Sequence, residues 1–121
     1  MNAYETIFIV KPSLSEEEMT KVIDKIKAVI QKGGGEVVAS ENLGKKRLAY
    51  EVRKEKRGIY IILHFKGTGA VLLELERTYR LSELIIKFIT IRIKPDKLGM
   101  MLPARDEKSP SFQDREAKGR R

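Results

Sequence analysis

The chain has 121 residues with 41% hydrophobic content, 25 lysines and arginines against 17 acidic side chains, and a net charge of +8 at neutral pH. That length holds a single core and leaves room for a tail, and a cationic excess over a mixed-charge surface favours a polyanionic partner without requiring one. Cysteine is absent, which excludes disulfides and thiolate metal sites; the Met-Asn-Ala-Tyr-Glu start lacks the basic opening of a signal peptide; and no apolar run approaches the ~20 residues of a membrane span, so a soluble cytosolic protein is expected.

Over residues 3–10, Tyr4, Thr6, Phe8 and Val10 alternate with Ala3, Glu5, Ile7 and Ile9, which predicts a strand carrying apolar groups on both faces. Lys11-Pro12 ends it. Ser15 followed by Glu16, Glu17 and Glu18 predicts a capping box with acidic charge at the positive end of a helix. Met19, Val22, Ile23, Ile26, Val29 and Ile30 then recur at helical spacing until Gly33-Gly34-Gly35 closes the segment.

A second strand opens over residues 36–40. Asn42-Leu43-Gly44 interrupts it with types that tolerate positive φ, predicting a bulge or bend and placing Lys45, Lys46 and Arg47 at that bend. The hairpin turn is expected at Arg53-Lys54-Glu55-Lys56-Arg57-Gly58, with Gly58 in the left-handed position of a longer loop. On the return limb Ile59, Ile61, Leu63 and Phe65 form the set expected to face the core, while Tyr60, Ile62 and His64 form a mixed set. Residues 66–69 read as a turn, Val71, Leu72, Leu75 and Tyr79 as a shorter amphipathic helix, and residues 84–93 as a last strand. Beyond Lys94 the chain mixes Gly, Pro, Ser and alternating charges, which predicts a folded unit over residues 1–94 and a tail over 95–121 with little fixed structure.

The order strand, helix, strand, strand, helix, strand predicts an α+β chain with the ferredoxin-like split βαβ pattern (βαββαβ). Two right-handed crossovers then place both helices on one face of a four-stranded antiparallel sheet. Glu5 and Lys87 mark outward positions, leaving Thr6, Phe8, Val10, Ile86 and Phe88 to meet the helices. The face without helices is then Ile7, Ile9, Tyr60, Ile62, Ile89 and Ile91. Central strands favour isoleucine for its own sake, but monomers seldom expose contiguous apolar patches above a few hundred Å², so a protein partner or a second copy is the preferred reading of this face.

Tyr4-Glu5, Pro12, Gly35, Leu43-Gly44, Arg47-Leu48-Ala49-Tyr50 and Gly58 stand at spacings that resemble the bacterial small-subunit ribosomal protein S-six family, the leucine-alanine-tyrosine run after the basic bend being the most specific part of the likeness. It covers residues 1 to about 94 and leaves the tail outside. The resemblance implies a structural constituent of the small ribosomal subunit that binds small-subunit ribosomal RNA in the central domain, as a heterodimer with ribosomal protein S-eighteen. No catalytic, cofactor-binding or metal-binding residues are implied.

RNA binding also has an argument of its own. Lys45, Lys46 and Arg47 cluster at a bend, while Lys87, Arg92 and Lys94 lie along the last strand, which this fold places at a sheet edge. Such cations neutralise phosphates and release counterions, and Arg47 adds bidentate geometry. Edge strands also carry lysines to discourage pairing with other chains, the better account of Lys87 taken alone. Tail cations Arg115, Lys118, Arg120 and Arg121 are nearly offset by neighbouring acids and promise only weak phosphate contacts. An RNA-recognition motif is a poor fit, since Arg57-Gly58-Ile59-Tyr60-Ile61 has isoleucine where base-stacking rings belong.

Enzymatic readings fare worse. His64 is the only histidine and reads as structural; Glu16, Glu17 and Glu18 start a helix; Gly44-Lys45 lacks the remaining parts of a P-loop. Acylphosphatases share the fold pattern, but their anion cradle needs glycine and arginine where this chain has Lys11-Pro12-Ser13-Leu14.

Overall fold

The computed structural model describes residues 1–100 together with Gln113–Asp114. Its elements are β1 (Asn2–Val10), α1 (Glu16–Lys32), β2 (Glu36–Val52), β3 (Glu55–Gly67), α2 (Gly69–Leu81) and β4 (Ile85–Ile93), followed by a 3₁₀ turn (Pro95–Lys97) and the two-residue β5 (Gln113–Asp114). The sheet order is β2-β3-β1-β4-β5 and every pairing is antiparallel. The four long strands and two helices form the expected ferredoxin-like arrangement, with β5 pairing to β4 at Lys87 and Phe88. No helix among the described residues is long and apolar enough to cross a membrane.

Helix α1 starts where the capping box requires. The Glu18 amide donates to Ser15 Oγ at 3.1 Å, and Glu18 Oε1 accepts the Ser15 amide at 2.9 Å. Met19, Val22, Ile26 and Ile30 are its buried stripe. The Gly35 amide returns to the Ile30 carbonyl at 2.9 Å, and a Cβ on Gly35 would stand 2.7 Å from the Lys66 carbonyl oxygen, so the strand leaving the helix admits only glycine there. Helix α2 is capped by Thr68, whose Oγ1 accepts the Val71 amide, and it buries Val71, Leu75 and Tyr79.

Between helices and sheet, Phe8, Val10, Ile59, Ile61, Leu63, Phe65, Ile85 and Phe88 meet the helical stripes in one core. The Tyr79 ring lies 5.3 Å from that of Phe8 and 4.9 Å from that of Phe88, centroid to centroid. Its hydroxyl pairs with Thr6 Oγ1 at 2.7 Å, which in turn meets Thr90 Oγ1 at 2.8 Å. Burial pushes the Tyr79 phenol well above its ordinary range, so the group stays a neutral hydrogen-bonding partner inside the core.

One residue goes to the opposite face from that expected. Ile9 pairs with Lys87 but Val10 pairs with Ile85, so a bulge inserts one extra residue into β4. Parity therefore flips: Ile85 joins the core beneath the helices, and Ile86, expected beside Phe88, joins Ile7, Ile9, Ile62 and Ile89 on the other face.

The hairpin also differs from expectation. Its turn is the two-residue Arg53-Lys54, both at positive φ (50° and 67°), with Val52 opposite Glu55. That is the twist-matched arrangement for a short hairpin, here built without glycine. Gly58 is not in a left-handed conformation. It lies within β3, where a Cβ would collide with Ile9 Cγ2 and sit 3.3 Å from the Val10 carbonyl oxygen, so its role is close packing of the hairpin base over β1.

Beyond Arg47, which pairs with Arg57, the next register position is Val52 with Glu55, so residues 48–51 loop out of the ladder. Leu48 and Val52 are thereby buried among Ile7, Ile9, Ile62, Ile86 and Ile89, with Leu43, Tyr60 and Ile91 packed at the margin. The sheet face that lacks helices is thus not bare: the chain's own hairpin closes over it. Toward its other end Glu5 and His64 stand opposite each other, both buried, with His64 Nε2 3.1 Å from Glu5 Oε1. The Gly99 amide donates to His64 Nδ1 at 2.8 Å, which makes Nε2 the protonated nitrogen and ties the segment after β4 across this end of the face.

Two measurements check this fold. Leu48→Ala is expected to destabilise the protein by about 2–4 kcal/mol, because it empties a buried site; an unchanged denaturation midpoint would show that the hairpin does not lie on the sheet. The Ser15 amide and hydroxyl, with Lys21 nearby, hold the Glu18 carboxyl below its ordinary value of 4.5. A depressed carboxyl adds stability above its unfolded pKa that is lost as pH falls through the folded one. The melting-temperature gap between the wild type and Glu18→Gln should accordingly be present at pH 6 and close on acidification below 4.5; a gap constant with pH contradicts the box.

Candidate nucleic-acid interface

The bend that displays the cations arises locally. Gly44 has φ +91°, its amide donates to Asn42 Oδ1 at 2.7 Å, and the ladder shifts register between Asn42 and Gly44. Lys45, Lys46 and Arg47 follow, all exposed. Pleating then divides them. Lys45 stands opposite Ile59 and Arg47 opposite Arg57, on one face of the ribbon, whereas Lys46 stands opposite Gly58 on the other. There the Lys46 ammonium lies 5.7 Å from the centroid of the Tyr60 ring, within cation–π range. Tyr60 is half-buried beneath this lysine, which leaves little of the ring for stacking a base.

The structure adds cations that the sequence pattern assigns to a turn. Lys54, Lys56 and Arg57 are exposed on the same hairpin, making it a two-stranded basic ribbon rather than a three-residue patch. None of Lys45, Lys46, Arg47, Lys54, Lys56 and Arg57 enters a salt bridge among the described residues. Arg53 is the exception: its Nη2 meets Glu83 Oε2 at 3.1 Å, clipping the tip to the connection before β4. The signal that reveals the ribbon in the sequence is the short turn, because placing it at Arg53-Lys54 puts Lys56 and Arg57 in β3.

Lys87 does not belong to a surface patch. It is fully buried, with its ammonium 3.9 Å from the Tyr50 ring centroid, because residues 48–51 loop over the sheet and bring Tyr50 down onto it. Neither the phosphate-contact nor the edge-charge reading of Lys87 survives that position. Arg92 and Lys94 are exposed, but at the corner where Arg92 faces Tyr4, whereas the hairpin projects from the other end of β1. Six residues of strand, or about 20 Å, separate those ends, so the expected cations form two groups and not one edge. The tail cations Arg115, Lys118, Arg120 and Arg121 lie outside the described residues.

Ile7, Ile9, Tyr60, Ile62, Ile89 and Ile91 do share one face, as alternation implies. Ile7, Ile9, Ile62 and Ile89 are buried under the hairpin, however, and only Tyr60 and Ile91 remain partly accessible. The large apolar side chains that are most exposed among the described residues stand elsewhere: Met1, Leu73 and Leu81 on α2, Tyr50 on the looped segment and Met100.

Comparison with known proteins agrees with this architecture. The family model for ribosomal protein S6 matches residues 3–92. The small ribosomal subunit protein bS6 of Nitratiruptor sp. is 46% identical over 97 residues, 80% of this chain and 76% of its own length. That of Syntrophobacter fumaroxidans is 40% identical and matches 98% of this chain and 84% of its own. The crystal structure of 30S ribosomal protein S6 from Thermotoga maritima superposes with a TM-score of 0.72 at 33% identity, covering 76% of this chain and 87% of that one. The chain therefore belongs to the bacterial ribosomal protein S6 family, structural and non-enzymatic constituents of the small ribosomal subunit in the cytoplasm.

Proposed function

We propose that the protein binds small-subunit ribosomal RNA in the central domain together with ribosomal protein S-eighteen, and that it supports assembly of that domain. The observation that carries the RNA half of this reading is the hairpin. Lys45, Lys46, Arg47, Lys54, Lys56 and Arg57 project from one ribbon without salt-bridge partners among the described residues. Fixed cations without internal counterions suit a phosphate backbone, which repays them by releasing its condensed ions. Arg92 and Lys94, at the opposite corner, serve a second and separate stretch of RNA.

The heterodimer contact uses what remains accessible of the apolar face, Tyr60 and Ile91 at its margin, rather than the buried Ile7, Ile9, Ile62 and Ile89. The RNA-binding unit is residues 1–94, with 95–121 as an appended tail. Each partner adds contacts that hold the protein in place for the other, so the two bindings are coupled and reciprocal.

The test is a salt titration of binding to a small-subunit ribosomal RNA transcript with S-eighteen present. Replacing Lys45, Lys46 and Arg47 together by alanine is expected to weaken binding about tenfold or more at moderate salt, and to flatten the slope of log K against log salt by about 0.9 for each phosphate that the variant no longer neutralises. Affinity and slope both unchanged would exclude the hairpin as the RNA surface.

A further inference from the structure

Arg47 and Arg57 stand directly opposite each other in the β2–β3 ladder. Directly opposed side chains in an antiparallel pair project from the same face with Cβ atoms about 5 Å apart, and two like charges there repel. Both arginines are exposed, and neither forms a salt bridge among the described residues. Neither acidic residue of the hairpin pairs with them across the ladder or in a salt bridge: Glu55 stands opposite Val52, nearer the tip, and Glu51 lies in the segment looped out of the ladder. An ordinary exposed ribbon gains stability by placing opposite charges at such a pair. This one sets two arginines side by side on one face, close enough for their long side chains to converge on a single anion.

We propose that Arg47 and Arg57 clamp one backbone phosphate of the RNA between them, each guanidinium fork taking an edge of the phosphate, with Lys45 on the same face reaching a neighbouring phosphate. The proposal rests on the RNA-binding reading of the hairpin and specifies its ligand chemistry. Guanidinium is suited to the task because its planar donors pair bidentately with phosphate oxygens and it is more weakly hydrated than an ammonium. The bound phosphate screens the repulsion that the free protein endures. Lys46, on the opposite face over Tyr60, takes no part in the clamp.

The clamp has a signature that a merely solvated pair of edge charges lacks. Removing one arginine should weaken RNA binding and at the same time stabilise the RNA-free protein. The experiment compares Arg47→Gln, Arg57→Gln, the double variant and Lys54→Gln, a single-charge control at the hairpin tip. All are measured on the full chain with the small-subunit ribosomal RNA transcript and S-eighteen.

Each single arginine variant is expected to bind about five- to tenfold more weakly, and the double variant little more weakly than either. Its salt slope should fall by about 0.9, the value for one phosphate. Without RNA, Arg57→Gln should melt at a higher temperature than the wild type. Effects that multiply in the double variant would mean two independent phosphate contacts and overturn the clamp, as would an Arg57→Gln no weaker than Lys54→Gln. An unaltered or lowered melting temperature in RNA-free Arg57→Gln would also overturn it. If Arg57→Gln is silent while the Lys45, Lys46, Arg47 triple alanine variant binds weakly, the clamp fails and RNA binding by the hairpin stands. If both are silent, the hairpin is not the RNA surface at all.

Discussion

A four-stranded sheet with both helices on one face has a second apolar face to hide, and that constraint organises the rest of this molecule. The solution is internal. Residues 48–51 leave the β2–β3 ladder, and Leu48 and Val52 come down onto Ile7, Ile9, Ile62, Ile86 and Ile89. Removing that surface from water contributes roughly 25 cal/mol per Å² of apolar area, a non-directional gain that tolerates the broken ladder. The tight packing of Gly58 against Ile9 and the clip from Arg53 to Glu83 then set how the hairpin lies.

Closing the face also sorts the charges. Tyr50 rides on the looped segment and seals Lys87 into the interior, where the aromatic ring offers its negative face to the ammonium. Leu48 and Val52 point down into the sheet, while Lys45, Arg47 and Arg57 stand on the other face of the ribbon and Lys46 lies over Tyr60 at the core's margin. The basic ribbon is thus part of the same element that completes the second core. Fold stability and the display of cations are linked through one hairpin, and a single register links them: the pairing that buries Leu48 and Val52 also sets Arg57 against Arg47.

Polar groups inside the molecule follow the same economy. Thr6, Tyr79 and Thr90 satisfy one another between sheet and α2, and Glu5 and His64 do so on the far side, where the Gly99 amide completes the imidazole. A lone histidine on a strand invites a catalytic reading. With both nitrogens engaged and the ring buried, it works instead as a bracket joining β1, β3 and the segment that follows β4.

Local chemistry was readable from the chain alone. Ser15 with Glu18 determined where α1 begins, Asn42 and Gly44 where β2 bends, and period-two alternation which residues share a face, because each depends on neighbours within a few positions. Element order then sufficed for the fold, since right-handed crossovers leave one arrangement for this pattern. Tertiary structure alone decided the rest. Ile86 changed sides because a bulge against Ile9 costs only a local hydrogen bond, which no periodicity records. Lys87 went inside because a segment well before it in the chain folds over it, and Arg57 became Arg47's neighbour through a turn two residues long within a run of charged residues ending in Gly58 that reads as a loop. Spacing in sequence specifies what a residue does to its own backbone; what lies across from it is set by register, and register is fixed by which side chains the folded sheet buries.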